Sequence, residues 1–310
     1  MQIPIIDFQP FTEGDSATRQ AVAQQIYQAC HEIGFMYLKN PGISPQQIAA
    51  LFAQSQSFFN LPLEVKQQLA WSDEVSNRGY VGVERERLDP DKPGDLKEAF
   101  NVGKEVSSHD TVPNMIVNKW LPNQEDFQTE VLAFWDTCSK VVEEVLQAFA
   151  IALQVPEDFF VIKHNQQNHT LRLLHYPPIS QLLKPGQVRA GAHSDYGSIT
   201  LLFQDQVEGL EVQTKDGEWI LAPAIPGTVV VNTGDLMQRW TNHVFCSTKH
   251  RVKIPVDERI MRSRYSVAFF CHPNYDAEIA CLPSCSLENP AIYPPISAGE
   301  HLLSRLQATY

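Results

Sequence analysis

The chain has 310 residues, 43% of them hydrophobic, which is enough for a sizeable core in one large domain or two closely packed parts. Its formal net charge of −12 argues against a nucleic-acid binder, which carries a basic stripe, and equally against an anionic membrane surface. The acidity mainly means solubility.

At the start, "MQIPIIDF" lacks a basic stretch followed by an apolar run, so no signal peptide is expected. "IPIIDF" reads as a short strand, and residues 16–33 as a helix with Ala21, Ile26, Ala29 and Ile33 near one face. "GFMYLKN" is a second strand, closed by the Pro41–Gly42 turn signal. Ser44 and Pro45 suit the N-cap and first position of a helix running to about Phe59, and "LPLEVKQQLA" continues helically. Residues 72–130 have little periodicity and many charges and turn signals, such as "DPDKPGD", which predicts loops and short strands. Residues 131–154 contain Asp136, Lys140, Glu143 and Glu144, so this apolar-looking run is an amphipathic helix and not a membrane span.

After about residue 157 short β-rich runs alternate with turn residues: "TLRLLHY", "SITLLFQD", "LEVQTK", "WILAPA", "TVVVNTGD", "HRVKIP" and "RYSVAFFCHP". Such spacing predicts a sandwich or jelly roll. "SAGEHLLSRLQATY" closes the chain as an amphipathic helix. The expected class is α+β, a mostly helical first half packed on a β core. The six cysteines, at 30, 138, 246, 271, 281 and 285, form no CxxC pair. Reduced thiols in a cytoplasmic protein are the default for such a chain.

The stretch "GAHSDYGSITLLFQD" sets His193 and Asp195 one residue apart at the head of an apolar run. On a strand, residues two apart share a face, so both would point inward. A buried carboxylate needs a partner or a metal, and a divalent cation supplies one. A facial triad of two histidines and one carboxylate needs one more histidine. His250, in "STKHRVKIP", lies on another β-like run that a curled sheet could bring opposite. The remaining histidines 31, 109, 164, 169, 243, 272 and 301 read as structural or surface groups.

In "SRYSVAFF", Arg264 and Ser266 are again two apart on a strand. A buried guanidinium demands an anion, and Arg suits a bidentate clamp on a carboxylate. Near a facial triad the pair looks like a seat for the distal carboxylate of a dicarboxylate. The competing reading is an internal salt bridge with one of the 36 acidic residues.

Taken together, "IPIIDF", "ACHEIGFMYLKNPGI", "LRLLHYPP", "HSDYGSITLLFQD", "GLEVQ", "VNTGD", "HRV" and "RYSVAFF" resemble, in order, the isopenicillin N synthase-like family of 2-oxoglutarate/Fe(II)-dependent dioxygenases. The resemblance covers nearly the whole chain. It implies a double-stranded β-helix (jelly-roll) core at 157–290, an N-terminal α/β region at 1–156 packed on it, and a C-terminal helix at 291–310, as one structural unit. It implies Fe(II) held by His193, Asp195 and His250, and 2-oxoglutarate held by Arg264, Ser266 and Tyr176. Many plant members carry Asn-Tyr-Tyr-Pro-Pro where this chain has Leu174-His175-Tyr176-Pro177-Pro178, so the asparagine contact is absent.

The implied activity uses O2 and 2-oxoglutarate to oxidise, chiefly hydroxylate, a small-molecule substrate, with succinate and CO2 released. Desaturation and ring closure belong to the same chemistry. A same-fold Fe(II) oxidase that does not use 2-oxoglutarate, isopenicillin N synthase-like or aminocyclopropane carboxylate oxidase-like, is the alternative. A zinc hydrolase is disfavoured, since "HEIGF" has Phe35 where HExxH needs its second histidine. A non-catalytic binding module has no use for open metal positions.

Substrate contacts are expected from the irregular 72–105 segment, the mouth of the β core and the C-terminal helix. Arg78, Tyr80, Phe100 and Phe270 are the candidates, with simple packing the competing reading for Tyr80 and Phe100. Arg78, Arg85 and Arg87 could meet an acidic substrate, but interleaved Glu84 and Glu86 favour a solvated face.

Overall fold

The computed structural model describes residues 2–71, 77–87, 92–106, 116–180, 182–287 and 289–309, with only the backbone for 306–309. The chain opens with β1 (Ile5–Asp7), α1 (Gln9–Glu13) and α2 (Ser16–Glu32). Asp15 caps α2 by accepting from the Thr18 amide. Gly34 then turns the chain at φ +71°, where a Cβ would meet the Cys246 carbonyl at 2.1 Å. β2 (Phe35–Lys39) follows.

α3 (Pro45–Phe59) begins where expected, with Ser44 and Gln47 closing a reciprocal capping box and Pro45 in the first turn. The helical reading of "LPLEVKQQLA" holds only for α4 (Leu63–Gln67). Pro62 cannot continue the α3 ladder, so the two helices are separate. β3 (Gly79–Val81) and β4 (Glu98–Val102) are the short strands of the irregular segment. α5 (Glu125–Ala152) starts six residues earlier than its apolar periodicity suggested (131 − 125). Glu125 and Asp126 occupy its first turn, where the helix dipole favours negative charge.

The second half supplies β5 (Thr170–Tyr176), β6 (Ala190–His193), β7 (Ile199–Gln204), β8 (Leu210–Gln213), β9 (Trp219–Leu221) and β10 (Thr228–Thr233). After α6 (Asp235–Trp240) come β11 (His250–Val252), β12 (Arg264–Cys271), β13 (Glu278–Ile279), β14 (Ile296–Ser297) and α7 (Ala298–Thr309).

The large sheet runs β1-β2-β10-β7-β12-β5-β4-β3, and the small one runs β6-β11-β8-β9. The two sheets enclose one apolar cluster, in which Phe35, Tyr37, Val230, Ala268 and Leu174 of the large sheet meet Ala190, Leu210, Val212 and Val252 of the small one. The opposite face of the large sheet packs on α2, α3 and α5. β12 shows why: Val267, Phe269 and Cys271 go to the helical side, while the alternate residues go inward. This is the jelly-roll, α+β architecture expected from the strand spacing. Among the described residues, no helix is long and apolar enough to cross a membrane.

Glu98 ties the first half to the core. Its carboxylate accepts from Lys66 Nζ at 2.8 Å, from the Tyr80 hydroxyl and from His175 Nδ1 at 2.7 Å, joining α4, β3 and β5. Burial alone would raise this carboxyl, but the three donors outweigh it and hold it below its ordinary value. Removing one partner from such a buried cluster leaves the ammonium uncompensated. Glu98→Ala is therefore expected to cost about 3–5 kcal/mol in equilibrium urea unfolding. A loss under about 1 kcal/mol would show that Lys66 finds water instead.

Candidate metal centre

His193 ends β6 and His250 begins β11, and the antiparallel register sets them directly opposite each other. Their ring centroids lie 4.3 Å apart. Asp195 is not on the strand with His193, as the alternation argument assumed; β6 stops at His193 and the chain bends. The carboxylate is turned inward by other means. Its Oδ2 accepts from Thr200 Oγ1 at 2.6 Å and from Asn232 Nδ2 at 2.7 Å, side chains of β7 and β10. Its Oδ1 stays open, 3.6 Å from His250 Nε2 and 3.9 Å from His193 Nε2.

The far nitrogens are committed too. His193 Nδ1 donates to the Gly191 carbonyl at 2.8 Å, and His250 Nδ1 to the Thr248 carbonyl at 3.2 Å. Each ring therefore turns its Nε2 toward the open carboxylate oxygen, which is how outer partners orient metal-binding histidines. One ligand atom from each of the three residues falls within 4.8 Å of the others. Two imidazole nitrogens and one carboxylate oxygen suit a first-row divalent ion such as Fe(II). Burial, then the neighbouring His250, pushes the His193 imidazole down from its ordinary value. Burial would raise Asp195, but the two imidazoles and the bonds from Asn232 and Thr200 prevail and hold it low.

A pocket opens beside this cluster, between the two sheets. Its floor is the inner face of β5 and β12, where Tyr176 pairs with Arg264, Leu174 with Ser266, Arg172 with Ala268 and Thr170 with Phe270. Arg264 and Ser266 are both buried and inward, as expected. The salt-bridge reading does not hold. Arg264 donates to the Val207 carbonyl at 3.0 Å, the Gln204 side-chain oxygen at 2.8 Å and the Ser266 hydroxyl at 3.3 Å, all neutral. The guanidinium carbon sits 4.9 Å from the Tyr176 ring centroid. His175 points the other way, between Glu98 and Ser263, and Leu174 is the residue that reaches the pocket.

Arg78 and Phe270 also line the pocket. Tyr80 and Phe100 do not. Tyr80 is spent on Glu98, and Phe100 is wholly buried against Phe58 and Phe127 in the helical core, so both are packing residues. In the charge pattern around residues 84–87, Arg85 and Arg87 are exposed, as a solvated face requires, but Glu86 is buried and ion-paired with Arg172 and, at 3.5 Å, with Lys97.

Several pocket residues had no local signal in the sequence. Lys97 and Arg172 are ordinary charges until Glu86 folds over them. Tyr196 follows Asp195 and carries Arg305 of α7 over its ring at 5.0 Å, and Leu302 of the same helix reaches the wall. Arg189, fully buried behind the wall, donates to the Arg262 carbonyl at 3.0 Å. Burial, then the nearby Arg264, pushes its guanidinium down to about 10. His272, read as structural, lines the pocket, and His109 lies outside the described residues.

Known proteins match this arrangement. Residues 3–123 match the family described as non-haem dioxygenase in morphine synthesis, N-terminal, and residues 164–273 match the 2OG-Fe(II) oxygenase superfamily. The chain is 33% identical to a proline hydroxylase of Petromyces alliaceus over 100% of both chains. It is similar to the crystal structure of a full-length Neurospora crassa protein in complex with alpha-KG, with TM-score 0.90 and 39% identity over 99% of this chain and 96% of that one. The complex of that Neurospora crassa protein with alpha-KG and thymine gives TM-score 0.90 and 38% identity over 99% and 97%.

Burial holds the imidazoles of His164 and His272 down at about 4, and that of His169 well below its ordinary 6.5. The unfolded chain takes up protons near 6.5 that the folded one refuses, so acid favours unfolding. The metal-free protein should therefore lose stability steadily as the pH falls from 6.5 towards about 4. Urea midpoints across that range check this; a flat or rising series would mean these rings are protonated in the fold.

Proposed function

The chain belongs to the 2OG-Fe(II) oxygenase superfamily, and we propose that His193, Asp195 and His250 hold its Fe(II) while Arg264, Ser266 and Tyr176 seat the distal carboxylate of 2-oxoglutarate. The protein is an Fe(II)- and 2-oxoglutarate-dependent dioxygenase. It oxidises a small molecule with O2 and releases succinate and CO2. The alternative of an oxidase independent of 2-oxoglutarate is set aside on the relatives, the Neurospora crassa protein having been crystallised with alpha-KG.

One observation supports the metal assignment above the rest. Three ligand atoms converge while every other polar atom of those side chains is already bonded inward or backward. Iron, when bound, supplies the place where the co-substrate and O2 meet the substrate. The protein's part is position and dryness. Thr200 and Asn232 aim Asp195 and, with His250 and His193, hold its carboxyl low. Arg264, with neutral partners only, keeps a positive charge for an incoming anion, and the buried Arg189 adds to the field. The apolar side chains of Leu202, Val252 and Ala268 exclude water between the two seats.

For the substrate, Phe270 and Arg78 are the retained candidates, joined by Tyr196 and Arg172. The thymine bound in the Neurospora crassa complex supports a planar heterocycle here, since Phe270 and Tyr196 offer ring faces and the arginines offer donors. Six unpaired cysteines support a reducing, cytoplasmic location.

Truncating one partner of a desolvated charge pair costs about 2 kcal/mol or more. Arg264→Ala should therefore raise the KM for 2-oxoglutarate by roughly thirtyfold or more, while the Fe(II) dissociation constant moves by less than about threefold. Steady-state kinetics and metal titration separate the two. Equal loss of both would make Arg264 a structural residue.

A further inference from the structure

Four basic side chains line the pocket: Arg78, Lys97, Arg172 and Arg264. Two are neutralised by the protein itself. Arg172 is paired with Glu86, and Lys97 Nζ lies 2.5 Å from Asp95 and 3.5 Å from Glu86. The other two have only neutral partners among the described residues. Those of Arg264 are accounted for by an arriving co-substrate anion.

Arg78 has no such account. Its Nη1 donates to the Asn77 carbonyl at 2.9 Å and the Thr170 hydroxyl at 3.3 Å. Its Nε is shielded from solvent and has no hydrogen-bond partner among the described residues. The guanidinium is pressed onto Gly103 so closely that a Cβ there would lie 1.9 Å from Nη2. The site is built to receive this side chain flat against the wall, yet among the described residues no carboxylate pairs with its charge. A desolvated cation without an anion is costly unless a ligand brings one.

Register places these two guanidiniums, neither in an ion pair among the described residues, at opposite ends of one floor. Arg264 pairs with Tyr176, and six residues along (270 − 264 and 176 − 170) Phe270 pairs with Thr170, the Arg78 partner. Phe270 also pairs with Thr200, which donates to Asp195. Arg78 therefore stands at the metal end of the pocket, roughly 20 Å of strand from Arg264. His272 lines the same pocket close enough to feel the Arg78 charge, and its Nδ1 is shielded with no hydrogen-bond partner among the described residues.

We propose that Arg78 is the seat of a carboxylate carried by the substrate, with the His272 ring as its neighbouring hydrogen-bond group. The substrate is then a small planar acid: its ring lies against Phe270 and its carboxylate forks onto Arg78, away from the end that holds 2-oxoglutarate. This rests on the pocket assignment above and adds a charge requirement to it. Arginine suits the role because its planar fork matches a carboxylate with two parallel bonds.

The test compares benzoate with benzamide, which share shape and differ in charge, and adds thymine as a neutral heterocycle. Each is titrated calorimetrically into the anaerobic protein loaded with Fe(II) and 2-oxoglutarate, in wild type, Arg78→Gln and Arg78→Lys. Wild type should favour benzoate over benzamide by about tenfold or more, the scale of a hydrogen bond to a charged group. Arg78→Gln should erase that ratio to within about twofold, Arg78→Lys should keep part of it, and thymine affinity should change by less than about threefold. A benzoate preference that survives Arg78→Gln, or that is absent from wild type, overturns the proposal. Thymine binding without a benzoate preference sinks this inference and leaves the heterocycle reading standing. An Arg78-dependent benzoate preference without thymine binding does the reverse, and silence from all three probes overturns both.

Discussion

A single buried carboxylate organises this molecule. Asp195 sits between two sheets beside two imidazoles, where an isolated negative charge would cost several kcal/mol. Four strands converge to resolve it. β7 brings Thr200 and β10 brings Asn232 to one oxygen; β6 and β11 bring His193 and His250 to the other. The result is a site with one charge satisfied from behind and one oxygen aimed at a cation. The large sheet can hold these groups still because its other face is packed against α2, α3 and α5.

The same economy appears along β5 and β12. Their helical faces are apolar apart from His175, and their inner faces carry a graded row from the Arg264–Tyr176 pair to the Thr170–Phe270 pair. One strand pair thus spans the pocket from co-substrate end to metal end. The irregular segment before β4 closes it. Leu96 donates its amide to Val188 at 3.0 Å, and Asp95 accepts from the Gly191 amide at 3.0 Å. Gly191 in turn accepts from His193, so the residues leading into Lys97 are stapled to the strand that carries a metal-centre histidine. Specificity placed on a loop is thereby fixed relative to the chemistry.

Much of this was legible locally. The Ser44–Gln47 cap, the inward Arg264 and Ser266, and the alternation of β12 all follow from spacing of two or three residues. The histidine–aspartate pair was found for an imperfect reason: alternation brought it to notice, but Thr200 and Asn232, five and 37 residues on, are what turn Asp195 inward. Partners at such separations leave no periodic trace. Glu86 looked solvated because its partners, Arg172 and Lys97, are 86 and 11 residues away (172 − 86 and 97 − 86). Tyr80 and Phe100 sit in a β segment whose alternation does not say which face meets the pocket. Only the β3–β4–β5 register and the Glu98 cluster send them to the core.

The most direct measurement is an anaerobic titration of the metal-free protein with Fe(II) and then 2-oxoglutarate, followed by its visible charge-transfer absorption. The account predicts a band that grows only with both present and saturates near one equivalent of each. Tight Fe(II) binding with no band at any 2-oxoglutarate concentration would contradict it, because the metal and the Arg264 seat would then not be two ends of one site.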